Sequence, residues 1–189
     1  TKHTEKAQEI IPASMKRRRL LWLVVGLTLS IGLLPAQQAY NVRTPLDPAT
    51  QPMAEEMRGE TLRFTIAESQ LYPGTEREVQ VYVPALYDGS KPACLLVCLD
   101  GVLYDAKTVM DNLIATGEMP VTIGVFIQPG VVKDEAGEVV RYNRCKEFDS
   151  TDDRLALFIE QEVLARVEGM VTDSGKHIRL SNDANDRCI

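Results

Sequence analysis

Hydrophobic and polar positions change rhythm three times along the 189 residues. Met15-Lys16-Arg17-Arg18-Arg19 is followed by Leu20 to Leu34, a run broken only by Gly, Thr and Ser, and then by Pro35-Ala36-Gln37-Gln38-Ala39. Residues 40–60 show little apolar pattern and carry Pro45, Pro48 and Pro52, the composition of a linker. From Thr61 a folded rhythm starts. Leu62, Phe64 and Ile66 alternate with Arg63 and Thr65, and Val79, Val81 and Val83 alternate within Glu78 to Val83. A turn at Tyr72-Pro73-Gly74-Thr75 separates these two half-buried strands, which predicts an antiparallel hairpin.

Beyond the loop at Ala85 to Pro92, Ala93–Leu99 is continuously apolar, as expected of a strand buried on both faces. It stops at Asp100-Gly101. Thr108 to Thr116 predicts a helix, and Val121 to Ile127 a second fully apolar strand halted by Pro129-Gly130. Ser150 or Thr151 is placed to cap a helix reaching about Glu168, along which Leu155, Phe158, Ile159, Val163 and Val167 recur every three or four residues. After a polar stretch from Asp173 to Asn185, Arg187-Cys188-Ile189 opens another strand. The order of hairpin, strand, helix, strand, helix, strand predicts an α/β domain with a mostly parallel sheet, whose ligands bind outside the carboxyl ends of the strands. No internal repeat is evident.

Charge sharpens this division. The net charge of −6 hides a basic start: residues 1–43 hold seven Lys or Arg against two Glu. The rest holds 14 basic and 25 acidic side chains, a balance of −11, which repels phosphate backbones and argues against nucleic acid as a partner. A basic n-region, a short apolar run and small residues after it describe a secretory signal peptide over residues 15–39, with cleavage after Ala36 or Ala39. The alternative is an uncleaved anchor, although a spanning helix wants about 20 apolar residues. Membrane contact is thus expected only through the export signal, and the protein is expected in the periplasm or outside the cell. Residues 1–14 precede Met15 and read as a leader outside the native chain.

Candidate chemistry is sparse. Cys94 and Cys98 on one strand lie about 13 Å apart, too far for a disulfide, and read as core residues. Cys145 and Cys188 stand alone, with a bridge between them left open, and no Cys or His spacing suggests a metal site. His177, the sole histidine of the body, lies in a polar loop; Gly-x-Ser-x-Gly and Gly-rich phosphate loops are absent. Two loops remain. Asp100-Gly101-Val102 follows a buried strand and is either a plain turn or a source of backbone N–H groups for an oxyanion. Arg141-Tyr142-Asn143-Arg144-Cys145-Lys146-Glu147-Phe148-Asp149 precedes a helix, so that Arg144 with Glu147 or Asp149 braces the loop, or an arginine holds an anionic or catechol-like ligand.

In order, Asp100-Gly101 after an apolar strand, Met119-Pro120-Val121 before the next, Arg-x-Asn-Arg-x-x-Glu-Phe-Asp at 141–149 and Phe158-Ile159-Glu160-Gln161-Glu162 follow a known pattern, as does Leu180 to Arg187. Residues 60–189 resemble the putative esterase family of α/β-hydrolases, typified by enterochelin (ferric enterobactin) esterases and their exported relatives. The resemblance implies an α/β-hydrolase domain over residues 61–189, cut before its nucleophile elbow, and a serine esterase needing no cofactor. It implies a small-molecule ester substrate, siderophore-type or carbohydrate ester. In that pattern Gly101 and Val102 supply part of the oxyanion hole, and Arg141, Arg144 and Glu147 sit at the site mouth or brace it. The Ser, acid and His of the triad are expected beyond Ile189, which leaves this chain inactive. The rival expectations are a non-catalytic cell-envelope binding protein that reuses the fold, and a membrane-anchored interaction protein.

Overall fold

The computed structural model describes residues 47–189, so the expected leader (1–14), the export signal (15–39) and the first part of the linker lie outside the described residues. Seven strands and three helices are named here in chain order. They are β1 (Glu60–Ile66), β2 (Arg77–Val83), β3 (Cys94–Leu99), α1 (Ala106–Ala115), β4 (Thr122–Ile127), β5 (Val131–Lys133) and β6 (Val139–Tyr142), followed by α2 (Arg144–Phe148), α3 and β7 (Arg187–Cys188). Helix α3 is built of Arg154–Phe158, a π-type stretch Ile159–Leu164, and Ala165–Glu168.

The main sheet has the order β1-β2-β4-β3-β7. β1 and β2 form the expected antiparallel hairpin, with Phe64 opposite Val79 and Leu62 opposite Val81. β2 is antiparallel to β4, while β4–β3 and β3–β7 are parallel. Four of the five strands therefore run one way and β2 alone opposes them. β5 and β6 form a separate two-stranded hairpin.

Alternation decides which side chains meet which layer. Val79, Val81 and Val83 of β2, Leu95 and Val97 of β3 and Ile123, Val125 and Ile127 of β4 point to one face. Helix α3 covers them with Phe158, Ile159, Val163 and Val167. Tyr82 and Phe126 point to the other face and pack on Met110 and Ile114 of α1. β4 is buried at every position because it lies between both helical layers.

Three expectations need correction. β3 is not buried on both faces: Leu95 and Val97 are buried, but Leu96 and Cys98 are only partly covered. Beside β3, α1 and the end of β7 leave an apolar groove of about 660 Å3. The third helix is not capped by Ser150 or Thr151. It starts at Arg154, whose N–H donates to Asp152 Oδ1 at 3.1 Å, and the Ser150 hydroxyl donates to the same oxygen at 3.1 Å. A carboxylate outcompetes a hydroxyl as acceptor at the positive end of a helix, which moves the start downstream. Finally, the polar stretch after Asp173 hides two core residues, Ile178 and Leu180, set by a short bridge from Leu180 to Ala93.

Residues 47–59 hold two short 3-10 turns, Pro48–Thr50 and Glu55–Met57. The first is tied to α1, where Asn112 Nδ2 donates to the carbonyls of Ala49 (2.7 Å) and Gln51 (2.9 Å). No helix among the described residues is long and apolar enough to cross a membrane.

Candidate active site

Three segments converge at the carboxyl ends of β3 and β4. The first is the loop Asp100–Asp105. Asp100 (φ 65°), Gly101 (φ 77°), Tyr104 (φ 53°) and Asp105 (φ 53°) all occupy the left-handed region, which three of them, as non-glycine residues, adopt at a cost. Gly101 is required twice over: its φ favours glycine, and a Cβ would lie 2.1 Å from Gln128 Nε2. The second segment, Gln128–Gly130, leaves β4 and is tied back by the Gln128 N–H donating to Glu78 O at 3.1 Å. The third is α2.

Helix α2 holds both loops through two ion pairs of different character. The Arg144 guanidinium donates through Nε and Nη2 to the two oxygens of Asp100, both at 2.6 Å, in the forked geometry suited to a carboxylate. This pairing holds the Asp100 carboxyl below the usual carboxylate range and raises Arg144 in turn. Glu147 is fully buried, and its Oε2 accepts from Arg77 Nη1 at 2.6 Å and from the Gly130 N–H at 3.0 Å. Its Oε1 accepts from Asn143 Nδ2 at 2.8 Å. Arg77 also donates to Thr75 Oγ1, and its guanidinium lies 4.5 Å from the Phe158 ring centroid and 5.2 Å from that of Tyr72. A charge buried this deeply is tolerable only with such partners.

The expected pairing inside 141–149 is therefore replaced. Arg144 grips Asp100 rather than Glu147 or Asp149, and Glu147 takes Arg77, 70 residues away. Arg141 is exposed on β6. Parity carried a signal that a start at Glu78 overlooks: Arg77 shares its face with Val79, Val81 and Val83, so it points inward and needs a buried carboxylate.

The two oxyanion candidates also differ. The Gly101 N–H donates to Ile127 O at 3.1 Å, which commits it to the scaffold. Among the described residues the Val102 N–H meets no acceptor, nor do those of Leu103, Tyr104 and Asp105 after it, so of the two candidates Val102 is the one left unpaired. Beside it runs the apolar groove, walled by Val97, Leu99, Leu103, Ala106 and Val109, with Tyr104 exposed on its rim.

His177 lies elsewhere. Its carbonyl accepts from Tyr87 Oη at 2.8 Å, and Arg179 O accepts from the Ala93 N–H at 2.9 Å, which puts this stretch at the amino end of β3, opposite Asp100. It cannot serve as base for chemistry at the carboxyl ends. All four cysteines are free thiols, with Cys94 and Cys98 half-buried rather than core and their thiols pushed up chiefly by burial. Among the described residues no cluster of His, Cys, Asp or Glu is placed to hold a metal.

Comparison with known proteins fits this geometry. The sequence matches the family described as "Putative esterase" over residues 70–179, a span that contains β2 to α3 and both ion pairs. A CE1 ferulic acid esterase from the anaerobic fungus Anaeromyces mucronatus, solved without substrate, is similar in fold at 14% identity with a TM-score of 0.52. That match covers 76% of this chain and 53% of that one. The structure of the same enzyme in complex with ferulic acid gives 17% identity, a TM-score of 0.51 and coverage of 76% and 52%. The chain thus spans about half the length of these neighbours. No curated protein matches it. With four strands running one way, β2 opposed to them and helices on both faces, the fold is of the α/β-hydrolase type, and the chain belongs to the esterase family.

Proposed function

We propose that this chain is the amino-terminal part of an exported serine esterase. It supplies half of an oxyanion site and one wall of the acyl or alcohol pocket for a small-molecule carboxylic ester, siderophore-type or carbohydrate ester. The observation that carries the proposal is the Val102 N–H, without an acceptor among the described residues, at the carboxyl end of β3 beside an apolar groove. In serine esterases the carbonyl oxygen becomes anionic as the nucleophile attacks, and backbone N–H groups from the loop after this strand and from the residue after the nucleophile receive it. Apolar walls suit the uncharged body of an ester and exclude water.

The same proposal assigns the Ser, acid and His to sequence beyond Ile189 and export to residues 15–39. The chain alone is then expected to cleave p-nitrophenyl acetate no faster than a heat-denatured sample; clear turnover above that control would sink the division of labour. Reading the next 15 codons of the gene decides the class, because a protein without Gly-x-Ser-x-Gly there is a binding protein on this fold rather than a serine esterase. Amino-terminal sequencing of the mature product tests export, with a start after Ala36 or Ala39 expected.

A further inference from the structure

The loop from Asp100 to Asp105 places four of its six residues in left-handed backbone, three of them not glycine. In a residue other than glycine such a conformation is strained and persists only where its surroundings over-determine it. Few contacts do so. From inside, the Gly101 N–H is fixed on Ile127 O, the Gln128 side chain fills the space a Cβ on Gly101 would need, and the Leu103 and Asp105 carbonyls accept from the Ala106 and Val109 N–H groups. From outside, the loop's side-chain hydrogen bonds to the rest of the described residues are the two that Asp100 accepts from Arg144.

Arg144 is itself well placed to act as a fixed post. It opens α2, the helix whose buried Glu147 is locked to Arg77, Asn143 and Gly130. The Arg144 guanidinium also lies 5.8 Å from the Phe148 ring centroid one turn on. The pair is no stability device: the side chains of Arg144 and Asp100 are 48% and 31% exposed, and ion pairs that open to water contribute little to global folding. What a forked pair does at such a site is fix an angle. Two parallel N–H···O bonds set the plane of the Asp100 carboxylate, and with it the direction in which the chain leaves β3 toward Val102.

We propose that Arg144 and Asp100 form a positioning clamp that sets the Val102 N–H for the developing oxyanion, so that Arg144 acts through the loop rather than by binding substrate. The purpose of the clamp rests on the esterase reading; its existence does not. On Asp100 Arg144 spends its Nε and Nη2 edge, the side-on fork that fixes both carboxylate oxygens.

The test uses 15N relaxation and amide exchange on this chain. In the wild type, the amides of Val102 and Leu103 should show order parameters near the rigid value of about 0.85, and the Gly101 amide should be protected. Arg144→Ala should lower those order parameters below about 0.6 and speed Gly101 exchange by about tenfold or more. Asp100→Asn, which tolerates the same left-handed backbone, should do likewise. The double variant should loosen the loop no further than either single one, and Arg144→Lys should recover part of the rigidity.

A pH profile separates the clamp from a general structural role. The titratable groups beside the pair are Asp149 and the Cys145 thiol, both next to Arg144. Protonating Asp100, at a pH below the usual carboxylate range because Arg144 holds its charge, should loosen the wild-type loop in a step that Asp100→Asn lacks. A loop that stays rigid in Arg144→Ala overturns the proposal. So does loosening shared equally by Val81 and Val125 in the core, because that reports global destabilisation. Absence of ester hydrolysis by the gene's full product, with the loop response intact, would instead defeat the esterase reading and leave the clamp standing.

Discussion

Glu147 shows how much one side chain can be asked to hold. It is fully buried, it neutralises Arg77, and it receives N–H groups from Gly130 and Asn143. Removing one partner of such a pair strands a charge, so Glu147→Ala is expected to cost about 3–5 kcal/mol, read as a lowered urea midpoint. Gly130 belongs to the same arrangement by its lack of a side chain: a Cβ there would lie 2.5 Å from Glu147 Oε1 and 2.8 Å from Arg77 Nη2. Asp111 is the opposite case, a buried carboxyl that accepts from Tyr82 Oη and is pushed above the usual carboxylate range, chiefly by burial. The folded chain therefore binds that proton more tightly than the unfolded chain. Stability is lost as pH rises from the ordinary value of about 3.9 through the raised one. Asp111→Asn keeps an acceptor for Tyr82 without the charge. Its thermal midpoint should exceed that of the wild type at pH 7.5, and the gap should close toward pH 4; an equal gap at both values would refute the assignment.

Elements differ in how far local pattern determines them. β1, β2 and β4 were legible because alternation or unbroken apolarity reports burial directly, and the hairpin register follows from the apolar alternation, which sets Leu62 opposite Val81 and Phe64 opposite Val79. The half-open face of β3 was not legible, since it depends on where α1 sits rather than on Leu96 or Cys98 themselves. The site was legible only as two loops. Asp100-Gly101-Val102 could be picked out by its place after an apolar strand, but the partner choice of Arg144 spans 44 residues and that of Glu147 spans 70, and nothing local encodes either. Helix α3 adds an example of its own. Its π-type stretch turns Glu162 toward the turn after β1, where Oε1 accepts from the N–H groups of Gln70 and Leu71, both at 2.9 Å. Glu162→Ala should destabilise the chain by about 1.5–3 kcal/mol, the range for hydrogen bonds to a charged group, and should raise amide exchange first at residues 68–72. Unchanged exchange there would show that the carboxylate is not the tie between α3 and the hairpin.

At the scale of the whole molecule, the uneven cover of the sheet matters most. Helix α3 closes one face, whereas the groove beside β3 and β7 leaves Leu103, Tyr104 and Ile189 exposed. Apolar surface of this kind next to a two-residue edge strand favours association with whatever apolar surface is available. The chain at high concentration should therefore sediment as a species larger than a monomer, and a Leu103→Ser, Tyr104→Ser double variant should shift it back. A monomer across the whole concentration range would argue that the groove closes by itself in solution.

The strand order also sets a timetable for synthesis. β4 inserts between β2 and β3, which precede it in the chain, so β3 has no neighbour among the earlier strands. The β1–β2 hairpin can pair as soon as it leaves the ribosome. The Cys94–Leu99 ribbon must wait until Thr122–Ile127 has followed it out. At about 5–20 residues per second that wait lasts a few seconds, with an apolar ribbon exposed throughout. A nascent chain arrested before Thr122 should thus be held by chaperones far more firmly than one arrested well past Ile127, since β4 is the segment that gives β3 its first partner.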